Sequence, residues 1–111
     1  MAGSAAAMGE LRLTVSESDG VWVVEVYGEL DMHTSPDLRD QLVALIDSGA
    51  NDIVLDLSGL EFIDSTGLGV LVGILKRLVT RDGRLVLRSP RPAARRVFEI
   101  TGLDLVFDIV D

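Results

Sequence analysis

Strand-like and helical patterns alternate along this chain, and the alternation restricts its possible folds more than any other feature of the sequence. Two β-patterned runs come first, at residues 11–15 and 21–27, and the hairpin signal Asp19-Gly20 lies between them. Apolar runs of strand length follow at residues 53–57 and 85–87, each preceded by a helical pattern. The predicted order is ββαβαβα, with a short last element at residues 105–110 whose pattern fits a strand or a helix.

That order predicts an α/β fold. Strand–helix–strand units place neighbouring strands parallel, joined by right-handed crossovers, whereas the opening hairpin is antiparallel. We therefore predict a mixed, mostly parallel sheet with an N-terminal antiparallel hairpin and with helices packed on it. Gly28 is predicted to end the second strand, and residues 58–63 are predicted to form a loop. Thr34 or Ser35 is predicted to cap the first helix, directly before Pro36.

The length and composition favour one domain. The chain has 111 residues, 48% of them hydrophobic, which suffices for a single core. Residues 1–9 are predicted to be a disordered tail and residues 10–111 the domain. No signal peptide or membrane span is predicted, because the start lacks a basic region and the apolar runs are short. The absence of cysteine fits a cytoplasmic protein.

The charge of the chain argues against several classes of partner. The net charge is −8, with 13 acids against 2 bases in residues 1–64 and 5 acids against 8 bases in residues 65–111. Nucleic acid requires a basic surface, so no nucleic-acid partner is expected. The acids are scattered and lack His or Cys at ligand spacing, so no metal site is expected, and no P-loop or other cofactor motif is present.

The second predicted helix, which runs to about Thr80, is unusually apolar. Its apolar positions fill an arc of roughly 200°, although a helix that covers a sheet needs only a stripe somewhat above 100°. Gly69 and Gly73 lie on the remaining face with Lys76 and Arg77. Interior glycines disfavour a helix by about 1 kcal/mol each, so another surface is expected to approach them closely. That surface belongs either to a partner or to a neighbouring helix of the same chain.

The start of this helix holds three residues that can cap it: Asp64, Ser65 and Thr66. Ser65 has two interpretations, as the capping residue or as an acceptor of phosphate. The free N–H groups and positive dipole of a helix N-terminus tolerate a phosphate there. Phosphorylation would add about −1.5 to −2 charges to an exposed position without unfolding the domain.

Three segments carry a resemblance to a known family. Gly28-Glu29-Leu30-Asp31, the run from Leu55 to Gly69, and Thr101-Gly102-Leu103-Asp104 resemble the STAS family, and more narrowly its stand-alone anti-anti-sigma members. The resemblance implies a regulator without enzymatic activity that binds a serine-kinase anti-sigma factor and so releases a sigma factor. It also implies inactivation by phosphorylation at Ser65 and a serine phosphatase as a second partner.

The resemblance also implies the residues of the binding site. Asp31 resembles the acidic loop residue that lies beside the family's serine, and we expect it to affect docking or phosphorylation more than folding. Thr66 stands where many members have a second serine. The partner-binding set implied by the resemblance and the helix pattern is Asp31, Asp64, Ser65, Thr66, Gly67, Gly69 and Gly73.

Two other functions compete with this interpretation. The first is a STAS accessory module of a lipid-transport or other signalling assembly, since one fold serves several functions. The second is a hydrolase that uses Ser65 with His33 as its base. A nucleophile elbow requires G-x-S-x-G, and Ile63 stands where the first glycine is needed.

Overall fold

The computed structural model describes residues 10–111, and within them the chain forms a five-stranded mixed sheet with three α-helices. The predicted tail at residues 1–9 lies outside the described residues. Strand order follows chain order; β1 and β2 are antiparallel and every other pair of neighbours is parallel, as predicted. The elements are β1 (Arg12–Ser18), β2 (Val21–Leu30), α1 (Ser35–Asp47), β3 (Asp52–Ile63), α2 (Ser65–Val79), β4 (Arg84–Arg88), α3 (Pro92–Ile100), a 3-10 turn (Leu103–Leu105) and β5 (Asp108–Val110).

The hydrophobic core lies between the helices and one face of the sheet. Right-handed crossovers that all step in the same direction along a sheet place their helices on one side of it. Val24, Leu55 and Leu87 lie side by side on three strands and join the core formed with the helices. Their neighbours on the opposite face include Val54 and Val86, which are not part of that core. The domain is therefore a two-layer structure in which the helices cover a single face of the sheet.

The prediction was wrong about where β2 and β3 end. β2 continues through Gly28 to Leu30, and residues 58–63 form the last part of β3 rather than a loop. Register shifts between Glu25 and Tyr27 and after Gly28 interrupt the pairing but do not end it. Because both strands run on together, Leu30 and Ile63 pair at the carboxyl edge of the sheet.

The last segment, which the sequence left open, contains both kinds of element. Gly102 adopts a left-handed conformation and introduces the 3-10 turn, after which β5 pairs with β4. Phe107 lies between these elements and packs edge-on against Phe98 of α3, with 5.9 Å between the ring centroids. This contact anchors the C-terminal segment to the core.

Candidate functional site

The carboxyl edge of the sheet brings two of the predicted site residues to neighbouring positions. Leu30 and Ile63 pair as the last residues of β2 and β3, so Asp31 and Asp64 leave the sheet side by side. The backbone N–H of Asp64 donates to the carbonyl of Leu30 at 3.1 Å, which ties the two strand ends together. The backbone therefore determines where the chain enters α2.

Asp64 is the residue that caps α2. Its Oδ1 accepts a hydrogen bond from the N–H of Gly67 at 3.0 Å, and its own backbone is extended, as an N-cap requires. The sequence offered three candidates for this role, and the structure selects the first of them. The interpretation of Ser65 as the capping residue is therefore wrong.

Ser65 is exposed and has no role in holding the helix start. It is the first residue of α2, and within residues 10–111 its hydroxyl makes no hydrogen bond. The backbone N–H groups of Ser65 and Thr66 also find no acceptor in that part of the chain. An accessible hydroxyl next to two free amides at a positive helix end can accept a phosphate without loss of an existing bond.

Asp31 holds the loop that leads from β2 to α1. Its Oδ1 accepts hydrogen bonds from the N–H groups of His33 (2.9 Å) and Thr34 (3.0 Å). Thr34 completes the turn, because its hydroxyl donates to the carbonyl of Glu29 at 2.7 Å and accepts from the N–H of Asp31. Asp31 therefore has a structural role that the sequence analysis did not assign.

The side chain of Thr34 has a different role from the predicted one, because it closes the turn instead of capping α1. The residue precedes α1 as its N-cap position, but its side chain makes no capping bond, because the hydroxyl is occupied within the turn. The spacing Asp31-x-x-Thr34 was the available signal, since Asp and Thr three residues apart commonly close such turns. The turn leaves Met32, 65% exposed, at the same edge of the sheet as Ser65.

The turn predicts a pH dependence of folding stability. The N–H of Thr34, with that of His33, holds the pKa of Asp31 below its ordinary value. A carboxylate whose pKa is lowered by folding stabilises the native state above its unfolded pKa of about 3.9, and that stability is lost as the pH falls through the folded pKa. Asp31→Asn keeps an acceptor oxygen but removes the charge, so we expect a lower Tm than wild type at pH 7 and a gap that closes below about pH 4.

Thermal unfolding of both proteins at a series of pH values measures this gap. Asp104→Asn is the matched control, because Asp104 is exposed and bonds to no group of residues 10–111. A gap between wild type and Asp31→Asn that stays constant from pH 7 to strongly acidic pH would contradict the assigned role of the turn.

Gly67 faces the core, so its place in the predicted partner-binding set is corrected. It is buried, and a Cβ at this position would lie 2.8 Å from Cγ of Leu30 and 3.0 Å from Cγ1 of Ile63. Both distances are shorter than normal contacts. Glycine here lets the start of α2 approach the paired strand ends, and Gly67 thereby positions Ser65 rather than contacting a partner.

Gly69 and Gly73 lie on the exposed face of α2. A Cβ at either position would meet nothing within 4 Å, so crowding by a neighbouring helix does not explain them. At 100° per residue they share a face about 120° wide with other exposed residues. We call this face the α2 stripe; it consists of Ser65, Thr66, Gly69, Gly73, Lys76, Arg77 and Thr80.

The α2 stripe has no side chains at its centre and carries opposite charges at its two ends. Its centre carries glycines, its first end lies beside Asp64 and Asp31, and its last end carries Lys76 and Arg77. No salt bridge within residues 10–111 engages either cation. A face without protruding side chains lets the backbone of another protein approach closely. For electrostatic complementarity, that protein would need basic groups at the Asp64 end of the stripe and acidic groups at the Lys76 and Arg77 end.

Within residues 10–111, no side chain is hydrogen-bonded to the hydroxyl of Ser65 as a catalytic base would be. His33 is exposed, and within the described part of the chain its imidazole makes no hydrogen bond to Ser65. Nucleophilic catalysis by serine requires a base within hydrogen-bond reach.

Among residues 10–111, no helix is both long enough and apolar enough to cross a bilayer.

Comparison with known proteins identifies the family. The family model of the STAS domain matches residues 12–111 of the sequence, and the chain belongs to that family. The anti-sigma-B factor antagonist of Staphylococcus aureus is 39% identical over 93 residues, which cover 84% of this chain and 86% of that protein. These findings confirm the resemblance that the sequence motifs carried.

Solved structures agree with this assignment. An anti-sigma factor antagonist from Mycobacterium paratuberculosis is 35% identical, with a TM-score of 0.85 over 96% of this chain and 90% of that one. The phosphorylated form of the Bacillus cell fate determinant SpoIIAA is 29% identical, with a TM-score of 0.70 over 89% and 91% of the two chains. The chain is therefore similar in sequence and in fold to anti-sigma factor antagonists.

Proposed function

We propose that this protein is an anti-sigma factor antagonist that binds a serine-kinase anti-sigma factor and is switched off by phosphorylation of Ser65. Binding of the unphosphorylated protein occupies the anti-sigma factor and releases a sigma factor. A serine phosphatase restores the active form. Since sigma factors act on cytoplasmic RNA polymerase, the proposed place of action is the cytoplasm. The sequence similarity to antagonists of Staphylococcus and Mycobacterium supports this function.

The observation that carries the proposal is that capping of α2 and exposure of a free hydroxyl fall to two different residues, Asp64 and Ser65. Asp64 caps the helix, so the hydroxyl of Ser65 stays exposed and unbonded at the helix start. If Ser65 were the cap, phosphorylation would have to replace the hydrogen bond of its hydroxyl, and loss of such a bond typically costs about 1 kcal/mol. Here the modified residue and the structural residue are separate.

The α2 stripe is the proposed docking surface. The partner would approach the exposed glycines and place basic groups near Asp31 and Asp64, with acidic groups near Lys76 and Arg77. Thr66 lies within this surface and is proposed as a contact residue rather than a phosphate acceptor.

Phosphate mapping tests the assignment of Ser65. Incubation with the cognate anti-sigma kinase and ATP should add one phosphate, which mass spectrometry should locate at Ser65. Ser65→Ala should accept none, whereas Thr66→Ala, the neighbouring control, should be modified like wild type. A phosphate that appears only on Thr66 would refute the assignment. Absence of any modification, with tight binding intact, would refute the kinase part of the proposal alone.

A further inference from the structure

The outer edge of β1 is open to another strand. β1 is the first strand of the sheet, and no strand within residues 10–111 pairs with its outer side. Natural proteins protect such edges with charges, proline or bulges. In β1 the guanidinium of Arg12 lies 4.2 Å from the ring centroid of Tyr27, and Glu17 accepts a hydrogen bond from the N–H of Gly20. Both charged side chains thus turn back onto the hairpin, and among residues 10–111 no charge, proline or bulge of β1 protects the middle of the edge.

A groove of about 500 Å³ lies beside this edge, between β1 and α1. Its lining from β1 consists of Leu11 and Leu13, which are half-buried, and its lining from α1 is polar apart from Ala44. Leu13 pairs with Val26, a core residue, so the groove opens on the helix-covered face of the sheet. Side chains alternate along a strand, and every second side chain of a strand added to β1 would point toward this groove.

The groove combines apolar and acidic groups, which suits a long basic side chain. Asp37 and Asp40 stand beside the two leucines. Asp37 makes no ion pair or hydrogen bond with its side chain inside the described range, and Asp40 contacts only the neighbouring Arg39, in an exposed pair at 3.3 Å. Such exposed pairs contribute little. A lysine or arginine would lay its aliphatic stem on the leucines and present its charge to the carboxylates.

We propose that the edge of β1 binds an extended segment of another protein that carries Lys or Arg at alternate positions. The segment adds a sixth strand through backbone hydrogen bonds, and its basic side chains occupy the groove. The excess of acids in residues 1–64, 13 against 2 bases, favours this occupant over a second copy, whose own acidic groove would face the first. The proposal concerns an edge distinct from the α2 stripe and stands independently of the proposed function.

The test uses a short peptide, blocked at both ends, in which lysine alternates with valine and threonine. Added to the ¹⁵N-labelled protein, it should shift the amide signals of residues 11–16 and 37–44 and slow amide exchange in β1. The double variant Asp37→Asn with Asp40→Asn should bind the peptide at least about fivefold more weakly. Asp47→Asn with Asp104→Asn removes the same charge elsewhere and should change the affinity less than about twofold.

Three results would overturn the proposal. The first is equal binding of a peptide of the same composition with its lysines contiguous, which would reduce the effect to net charge. The second is an absence of shifts in β1 at millimolar peptide. The third is a concentration-dependent broadening of β1 signals without peptide, since that would mean that a second copy of the chain occupies the edge.

Discussion

Replacement of Ser65 by glutamate should leave the protein folded and lower its affinity for the anti-sigma factor at least about tenfold. The negative charge lies at a helix N-terminus, where the dipole favours it by about 0.3–1 kcal/mol at an exposed position. The same charge lies next to Asp64 and at the same sheet edge as Asp31, so the proposed docking surface becomes strongly acidic at that end. Unless the partner supplies a matching cation, the added negative charge repels acidic groups of the partner or loses its hydration against apolar ones.

Circular dichroism, thermal unfolding and calorimetric titration separate the two effects. Ser18→Glu is the charge-matched control, because Ser18 is exposed at the turn between β1 and β2, away from the α2 stripe. Glutamate carries less charge than a phosphate, so the phosphorylated protein is titrated in parallel. The mechanism is refuted if Ser65→Glu unfolds, or if the phosphorylated protein binds with unchanged affinity.

The glycines of α2 should respond to substitution in opposite directions. Gly67→Ala forces a methyl group against Leu30 and Ile63, and overpacking of this kind costs about 1–3 kcal/mol. This exceeds the gain of at most about 1 kcal/mol from helix propensity, so the variant should be destabilised. Gly69→Ala meets no neighbour and should be more stable than wild type by about 0.5–1 kcal/mol.

Urea unfolding measures both changes, and the partner titration adds a second criterion. Gly69→Leu should also remain folded but should bind the anti-sigma factor more weakly, because its side chain protrudes from the α2 stripe. A Gly67→Ala protein more stable than wild type would show that the helix start is not held tightly. Unchanged affinity of Gly69→Leu would show that this face is not the docking surface that we propose.

The architecture was predictable from sequence because each element has a local signature. The hairpin has its turn at Asp19-Gly20, and the helices and buried strands have their own periods. The ends of β2 and β3 were not predictable, because register shifts break the alternation of buried side chains. In the last part of β3, Leu57, Leu60 and Ile63 are buried at every third position, a spacing that does not indicate a strand.

The site was predictable in part. The motif placed Ser65 at a helix start, and the structure agrees. Which residue caps that helix could not be read from the sequence, because Asp64, Ser65 and Thr66 are all competent. The buried position of Gly67 depends on Leu30, which belongs to another strand, and a contact between distant segments leaves no local pattern.

The tie between the two strand ends also bears on how selectivity can evolve in such a protein. The hydroxyl of Ser65 is positioned by main-chain pairing of Leu30 with Ile63 and by the N–H of Asp64, not by the exposed side chains around it. Exposed side chains at the same edge of the sheet, such as that of Met32, can therefore be exchanged without displacement of the serine. Under the proposed function, duplicated copies could diverge toward different kinases while each keeps a phosphate acceptor at the position of Ser65, which would insulate parallel signalling circuits within one cell.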